Sequence, residues 1–124
     1  MNFLAHIYLS ADDKQIQIGN FIGDYVKGNK YLEYPEKIKS GIILHRDIDF
    51  YTDNHELVKE AKVYFRKIYG LYSGILVDMF FDHFLAKDWD NYHGSSLSKF
   101  CSDFYLNLVK NYKHLPKRVQ YFSP

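Results

Sequence analysis

One cysteine, Cys101, is all the sequence offers for cross-linking, so no intrachain disulfide can form and a reducing compartment is expected. Three prolines and seven glycines punctuate 124 residues, and no linker, repeat or low-complexity tract separates one part from another. One domain, 1–124, is therefore expected. Charge of one sign is also lacking: 16 basic against 15 acidic residues leave a net charge of +1. That balance excludes a protein that holds nucleic acid through a basic surface. Long apolar runs are missing too. Met1 to Ser10 has no basic start and is too short in apolar residues for a signal peptide. Gly74–Ala86 is interrupted by Asp78, Asp82 and His83, too short and too polar to cross a bilayer. The expectation is a cytoplasmic protein with neither a membrane nor a nucleic-acid partner.

What the sequence does have is aromatic side chains, 19% of residues, with 12 Tyr, 10 Phe and 1 Trp. They fill a core with few residues, and each tyrosine adds a hydroxyl that needs a partner. Their spacing is helical. Ile38, Ile42, His45 and Asp49 recur on one face of a helix that follows Pro35. Pro35 suits the first helical position. A further helix starts at Asp53 or Asn54, carries Leu57, Val58, Ala61, Phe65 and Ile68, and stops at Gly70. Ser73 is placed to cap a helix over Gly74 to about Lys87, and Ser95 or Ser96 one bearing Leu97, Phe100, Phe104 and Leu108. Asn2–Ser10 and Asp12–Val26 read as two more, the second interrupted by Gly19 and Gly23. Strand signals are weak. The fold class is all-α, a compact bundle of about six helices.

Three polar clusters sit where apolar faces are expected. In Gly74–Ala86, a helix read as mostly buried, Asp78 and Asp82 share a face one turn apart, and such a like-charged pair needs a metal ion or an arginine to compensate it. His83 projects about 100° away from them. His45 and Asp49 also stand one turn apart, a spacing that serves either a divalent ion or a direct hydrogen bond, with Asp53 a further turn on. Arg46 lies off that face and could reach a phosphate or an aspartate. Asn20 and Asp24, four apart between glycines, form the third cluster, and His6 lies in an apolar setting near the start. Histidines and carboxylates from several apolar helix faces point to a divalent metal site inside a helical bundle, Mn²⁺, Mg²⁺, Fe²⁺ or Zn²⁺, activating water against a phosphoester. A Gly-rich phosphate loop and a nucleophile elbow are both missing. Cys101 falls at a core spacing, and His55, His93 and His114 read as surface residues.

Four stretches carry a wider likeness: Met1-Asn-Phe-Leu-Ala-His6; Gly19-Asn-Phe-Ile-Gly-Asp24-Tyr-Val-Lys-Gly28; Gly41-Ile-Ile-Leu-His45-Arg46-Asp-Ile-Asp49 with Thr52-Asp53; and Asp82-His83-Phe-Leu. In order and spacing they resemble the acyl carrier protein phosphodiesterases, a divergent, HD-like branch of metal-dependent phosphohydrolases. The resemblance implies an all-α hydrolase of fatty acid metabolism that frees 4′-phosphopantetheine from holo-acyl carrier protein with a divalent ion, typically Mn²⁺. Carried over by position, it implies Asp24, His45, Asp49 and Asp82 as ligands or their immediate surroundings, His6, Asp78 and His83 as second choices, and Arg46 as a phosphate contact. The pair Asp82-His83 stands in the reverse of the usual HD order. The family runs further at the C-terminus, so this chain is expected to be shortened there.

Charge is unevenly spread. Residues 1–90 carry 11 bases and 14 acids, whereas 91–124 carry 5 bases and 1 acid. Lys110, Lys113, Lys117 and Arg118 are the expected docking face for an acidic carrier protein. Two other readings of the same residues are a non-catalytic helical module that binds a carrier protein or forms homo-oligomers, and a phosphohydrolase of another small phosphoester.

Overall fold

The steps of three and four become seven α-helices in the computed structural model, which describes residues 3–122, with side chains for 3–120. They are α1 (Phe3–Tyr8), α2 (Lys14–Ile22), α3 (Glu36–Asp53), α4 (Glu56–Tyr69), α5 (Ser73–Lys87), α6 (Leu97–Lys110) and α7 (Lys117–Phe122). Short 3₁₀ turns connect several of them, and there is no strand among the described residues. The all-α class holds. The seventh helix is the short one after Pro116, and the proposed start of the first at Asn2 lies outside the described residues.

Several boundaries move for local chemical reasons. Helix α2 starts at Lys14 and not at Asp12, because Asp13 caps it: its carboxylate accepts the N–H of Gln15 and of Ile16, both at 3.0 Å. Gly23 ends α2, and Gly23–Tyr25 turns as 3₁₀, so the helix does not run to Val26. Pro35 is the N-cap of α3 rather than its first residue. His55, not Asp53 or Asn54, caps α4, with Nδ1 accepting the Leu57 N–H at 3.1 Å. Asp53 instead meets Lys62 at 3.1 Å. Ser73 begins α5 without a side-chain cap, while Ser96 caps α6 as expected.

Helices α2 and α3 form the centre, and two glycines set their separation. A Cβ on Gly19 would strike the Ile38 carbonyl, and one on Gly41 would strike that of Ile16. With neither present the backbones touch, and Ile18, Ile22, Ile38 and Ile42 are driven to complete burial. Val26, Leu115 and Val119 close that cluster, and a second forms from Ile7, Trp89, Phe100 and Phe104.

The α5 helix departs from expectation. Of its fifteen residues only Ser73 and Val77 are buried, while Ile75, Met79, Phe80 and Phe84 are exposed. Apart from Asp78, Asp82 and His83 its body is apolar, yet among the described residues α1, α4 and the turn before it are the elements that pack on it most closely. Leu71 at the tip of the α4–α5 hairpin is 90% exposed. Cys101, expected in the core, is exposed on α6. His55, His93 and His114 are half-buried rather than on the surface, and His93 bridges Asp12 and Ser95.

Candidate metal centre

The contact between α2 and α3 brings His45 under the end of α2. Its ring fills the place where a Cβ on Gly23 would be. His45 Nδ1 donates to the Asn20 carbonyl oxygen at 2.8 Å, which leaves Nε2 facing Asp24 Oδ1 at 2.9 Å and Asp49 Oδ2 at 3.1 Å. From the other side α1 delivers His6, whose ring stacks on that of His45 with centroids 4.0 Å apart. His6 Nδ1 lies 2.7 Å from Asn20 Oδ1, and its Nε2 lies 3.1 Å from Asp49 Oδ1. The Asn20 amide nitrogen donates to the His6 carbonyl at 2.8 Å and to Ser10 Oγ at 3.0 Å. Ser10 donates in turn to the His6 carbonyl at 2.9 Å. Among the described residues, no buried side-chain nitrogen or oxygen lacks a partner.

Ligand atoms of His6, His45 and Asp49 all fall within 4.8 Å of one another. The imidazoles are buried, the Asp49 side chain is 34% exposed and that of Asp24 64%, so the cluster opens towards solvent at its carboxylate end. Burial opposes charge on His45, but hydrogen bonds to Asp24 and Asp49 outweigh it and push its pKa up to about 9. The His45 hydrogen bond holds the Asp24 carboxyl below its ordinary range. Burial works against ionisation of Asp49, yet the hydrogen bonds of His45 and His6 hold its carboxyl far below that range. The site thus favours negative oxygens around a positive centre.

The other expected site residues are not among the ligand atoms that converge there. Asp82 accepts the backbone N–H of Leu4 at 3.1 Å and of Ala5 at 3.0 Å, so its carboxylate secures the start of α1, the helix that carries His6. Asp78 is half-buried on α5; burial pushes its carboxyl up, and Asp49 and Asp53 add repulsion. His83 is exposed and rests edge-on against Phe84. Arg46 donates to the carbonyls of Val26 and Gly28 at 3.1 and 3.0 Å and lies over the Tyr31 ring. It ties down the turn that bears Asp24. Lys110, Lys113, Lys117 and Arg118 are all exposed, and the Arg118 guanidinium lies 5.8 Å from the Tyr25 ring, next to Asp24.

Asn20 and Ser10 were not assigned from sequence. Asn20 carried a signal, standing one turn before Asp24 between two glycines. Ser10 carried none, because its partner is a backbone carbonyl one turn back along α1.

An all-helical chain in which two stacked imidazoles and a carboxylate converge defines a protein with a candidate divalent-metal centre between its first three helices. The chain belongs to the acyl carrier protein phosphodiesterase family, whose model matches residues 1–124. The acyl carrier protein phosphodiesterase of Yersinia pestis is 40% identical over 121 residues, 97% of this chain and 63% of that protein. The one from Serratia proteamaculans (strain 568) is 33% identical over the same shares of both chains. The one from Yersinia enterocolitica serotype O:8 / biotype 1B is 43% identical over 90 residues, 73% of this chain and 47% of the relative. The chain thus spans less than two thirds of the length of these relatives. No solved structure matches it. No helix among the described residues is long and apolar enough to cross a membrane.

Proposed function

We propose that this chain is a metal-dependent phosphodiesterase core that hydrolyses the link between 4′-phosphopantetheine and holo-acyl carrier protein. The observation that carries the reading is the meeting of His6 Nε2, His45 Nε2 and both Asp49 carboxylate oxygens at one point. Both ring Nδ1 atoms are engaged by Asn20, so the Nε2 lone pairs of neutral imidazoles face carboxylate oxygens that also carry lone pairs. Only a cation reconciles that arrangement. A proton does so on His45 in the free protein, and a divalent ion fits the same donors.

His6, His45 and Asp49 would hold the ion, with Asp24 at the open side. Nitrogen and oxygen donors without thiolate suit Mn²⁺, Fe²⁺, Zn²⁺ or Mg²⁺, and the family resemblance favours Mn²⁺. Such an ion supplies positive charge towards a phosphodiester oxygen and acidifies water. The chain's own part is orientation. Asp24, ionised and solvent-facing, is placed to accept a proton from water entering the mouth. Arg46 holds the Asp24 turn in place. Asp82 fixes the N-terminus of α1 and hence the depth of His6. Asp78 and His83 remain outlying, second-choice groups. Arg118 borders the mouth beside Tyr25, and with the exposed Lys110, Lys113 and Lys117 it would draw in an acidic carrier protein.

Incubation of holo-acyl carrier protein with the protein and Mn²⁺, followed by intact-mass measurement, tests this. The expected result is conversion to the apo carrier, abolished by Asp49→Asn. Unchanged mass with folded, Mn²⁺-loaded protein overturns it. If the carrier nevertheless binds, the non-catalytic module is the better reading, and the exposed apolar α4–α5 face is then its first candidate for contact with a partner or a second copy.

A further inference from the structure

We propose that Asn20 is the positioning residue of this centre: one fully buried side chain, with its own backbone carbonyl, turns both imidazoles so that their Nε2 atoms meet at Asp49. The inference deepens the metal-site reading and rests on it for its consequence, though not for its geometry.

The argument follows from which atoms Asn20 can offer. Its exposure is 0%, so every polar atom must be paired within the protein. The amide nitrogen spends both protons, one on the His6 carbonyl and one on Ser10 Oγ. Oδ1 is thus left as a pure acceptor, and the atom it faces, His6 Nδ1 at 2.7 Å, must be the donor. The backbone carbonyl is likewise only an acceptor, so His45 Nδ1 at 2.8 Å carries a proton as well. Both rings are held in one state at Nδ1, and each presents Nε2 to Asp49. Holding the second ring nitrogen in this way is how outer groups fix the orientation of metal-binding histidines. The closeness of α2 and α3 at Gly19 and Gly41 makes the double grip attainable, because it puts the Asn20 carbonyl within reach of α3. Ser10 adds a check on the amide itself: donating its hydroxyl proton to the His6 carbonyl, it can only accept from Asn20, which prevents the amide from flipping.

The two grips differ, and the difference is testable. Substitution removes the side-chain acceptor of His6 but leaves the backbone acceptor of His45. Long-range ¹H–¹⁵N spectra of metal-free, ¹⁵N-histidine-labelled protein resolve hydrogen-bonded ring N–H groups. The wild type should give protected Nδ1–H signals for both His6 and His45. Asn20→Ala should lose the His6 signal and keep that of His45. Asn20→Asp keeps an oxygen at the same place and should retain both. Persistence of the His6 signal in Asn20→Ala, or its loss in Asn20→Asp, overturns the proposal. Loss of both signals in Asn20→Ala with both kept in Asn20→Asp supports it, since the acceptor oxygen is then what separates the two variants. In a Mn²⁺ titration, Asn20→Ala should weaken binding by about 10- to 100-fold, and an unchanged affinity refutes the positioning role. A wild type with both Nδ1–H signals but no Mn²⁺ binding would refute the metal reading and leave the orientation by Asn20 standing.

Discussion

His45 places a large electrostatic demand on the fold. Its pKa in the folded protein, about 9, lies above the ordinary 6.5. A group raised in this way stabilises fully below its unfolded pKa, and the stabilisation drains away as pH rises through the folded value. For His45 that window is pH 6.5 to 9, and it amounts to about 3 kcal/mol. Asp24 and Asp49 act in the opposite sense. Their carboxyls are lowered from the ordinary 3.8, so their contribution is present above that pH and lost as pH falls. Metal-free protein should therefore be most stable between about pH 4 and 6.5. Thermal melts of chelator-treated protein are expected to weaken from pH 6.5 to 9, and His45→Gln should flatten that alkaline limb. An equally steep limb in His45→Gln would show that another group sets it. At this scale the sequence was legible in part. The step of four between His45 and Asp49 announced a pair on one face, but nothing in the spacing marked His6 as its third member. His6 arrives from a separate helix, and only packing decides which imidazole meets which carboxylate. Asp82 failed to join for a related reason: its nearest unsatisfied donors are the free N–H groups that begin α1.

Among the elements, the α2–α3 pair and the turn after it decide whether the centre exists. Two glycines in this region do different work, so the same substitution should give two different outcomes. A Cβ on Gly41 meets the Ile16 carbonyl, and backbone there cannot yield without separating the helices. Gly41→Ala should cost about 1–3 kcal/mol or more. A Cβ on Gly23 has its three nearest neighbours all in the His45 side chain, its Cβ included, so that side chain must shift at the expense of its bonds to Asn20, Asp24 and Asp49. Gly23→Ala should thus lose less stability but most of its Mn²⁺ affinity. Urea denaturation and metal titration of the two variants distinguish these effects, and equal losses of stability with unchanged affinity would contradict the account. Element existence was readable from apolar periodicity throughout, because steps of three and four recur from Ile38 to Leu108. Element coverage was not. The α5 helix is apolar at most of its positions, which announces burial, yet its surroundings leave Ile75, Met79 and Phe84 in solvent. Composition reports what a helix would bury and is silent on whether a neighbour is there to bury it.

Across the whole molecule, the basic C-terminal segment and the site meet at one contact. The near-neutral total conceals that segment, residues 91–124, whose Arg118 guanidinium reaches the Tyr25 ring next to Asp24. Exposed lysines there gain little from intramolecular pairing, and none of Lys110, Lys113 and Lys117 has an ion pair among those described. On the proposed function, their use would be to attract an acidic carrier protein over about 8–10 Å at moderate salt. Reversing two of these charges, Lys113→Glu with Lys117→Glu, should leave the ring N–H signals of His6 and His45 and the Mn²⁺ affinity untouched, because neither lysine reaches the cluster. What should change is encounter: kcat/KM for holo-acyl carrier protein is expected to fall about tenfold or more at low salt. In wild type the rate should decline as salt is raised, and in the variant that dependence should weaken or reverse in sign. Stopped-time assays across an ionic-strength series measure both quantities at once. A variant with wild-type salt dependence would mean that the carrier approaches over another face, and the apolar α4–α5 surface would become the place to look.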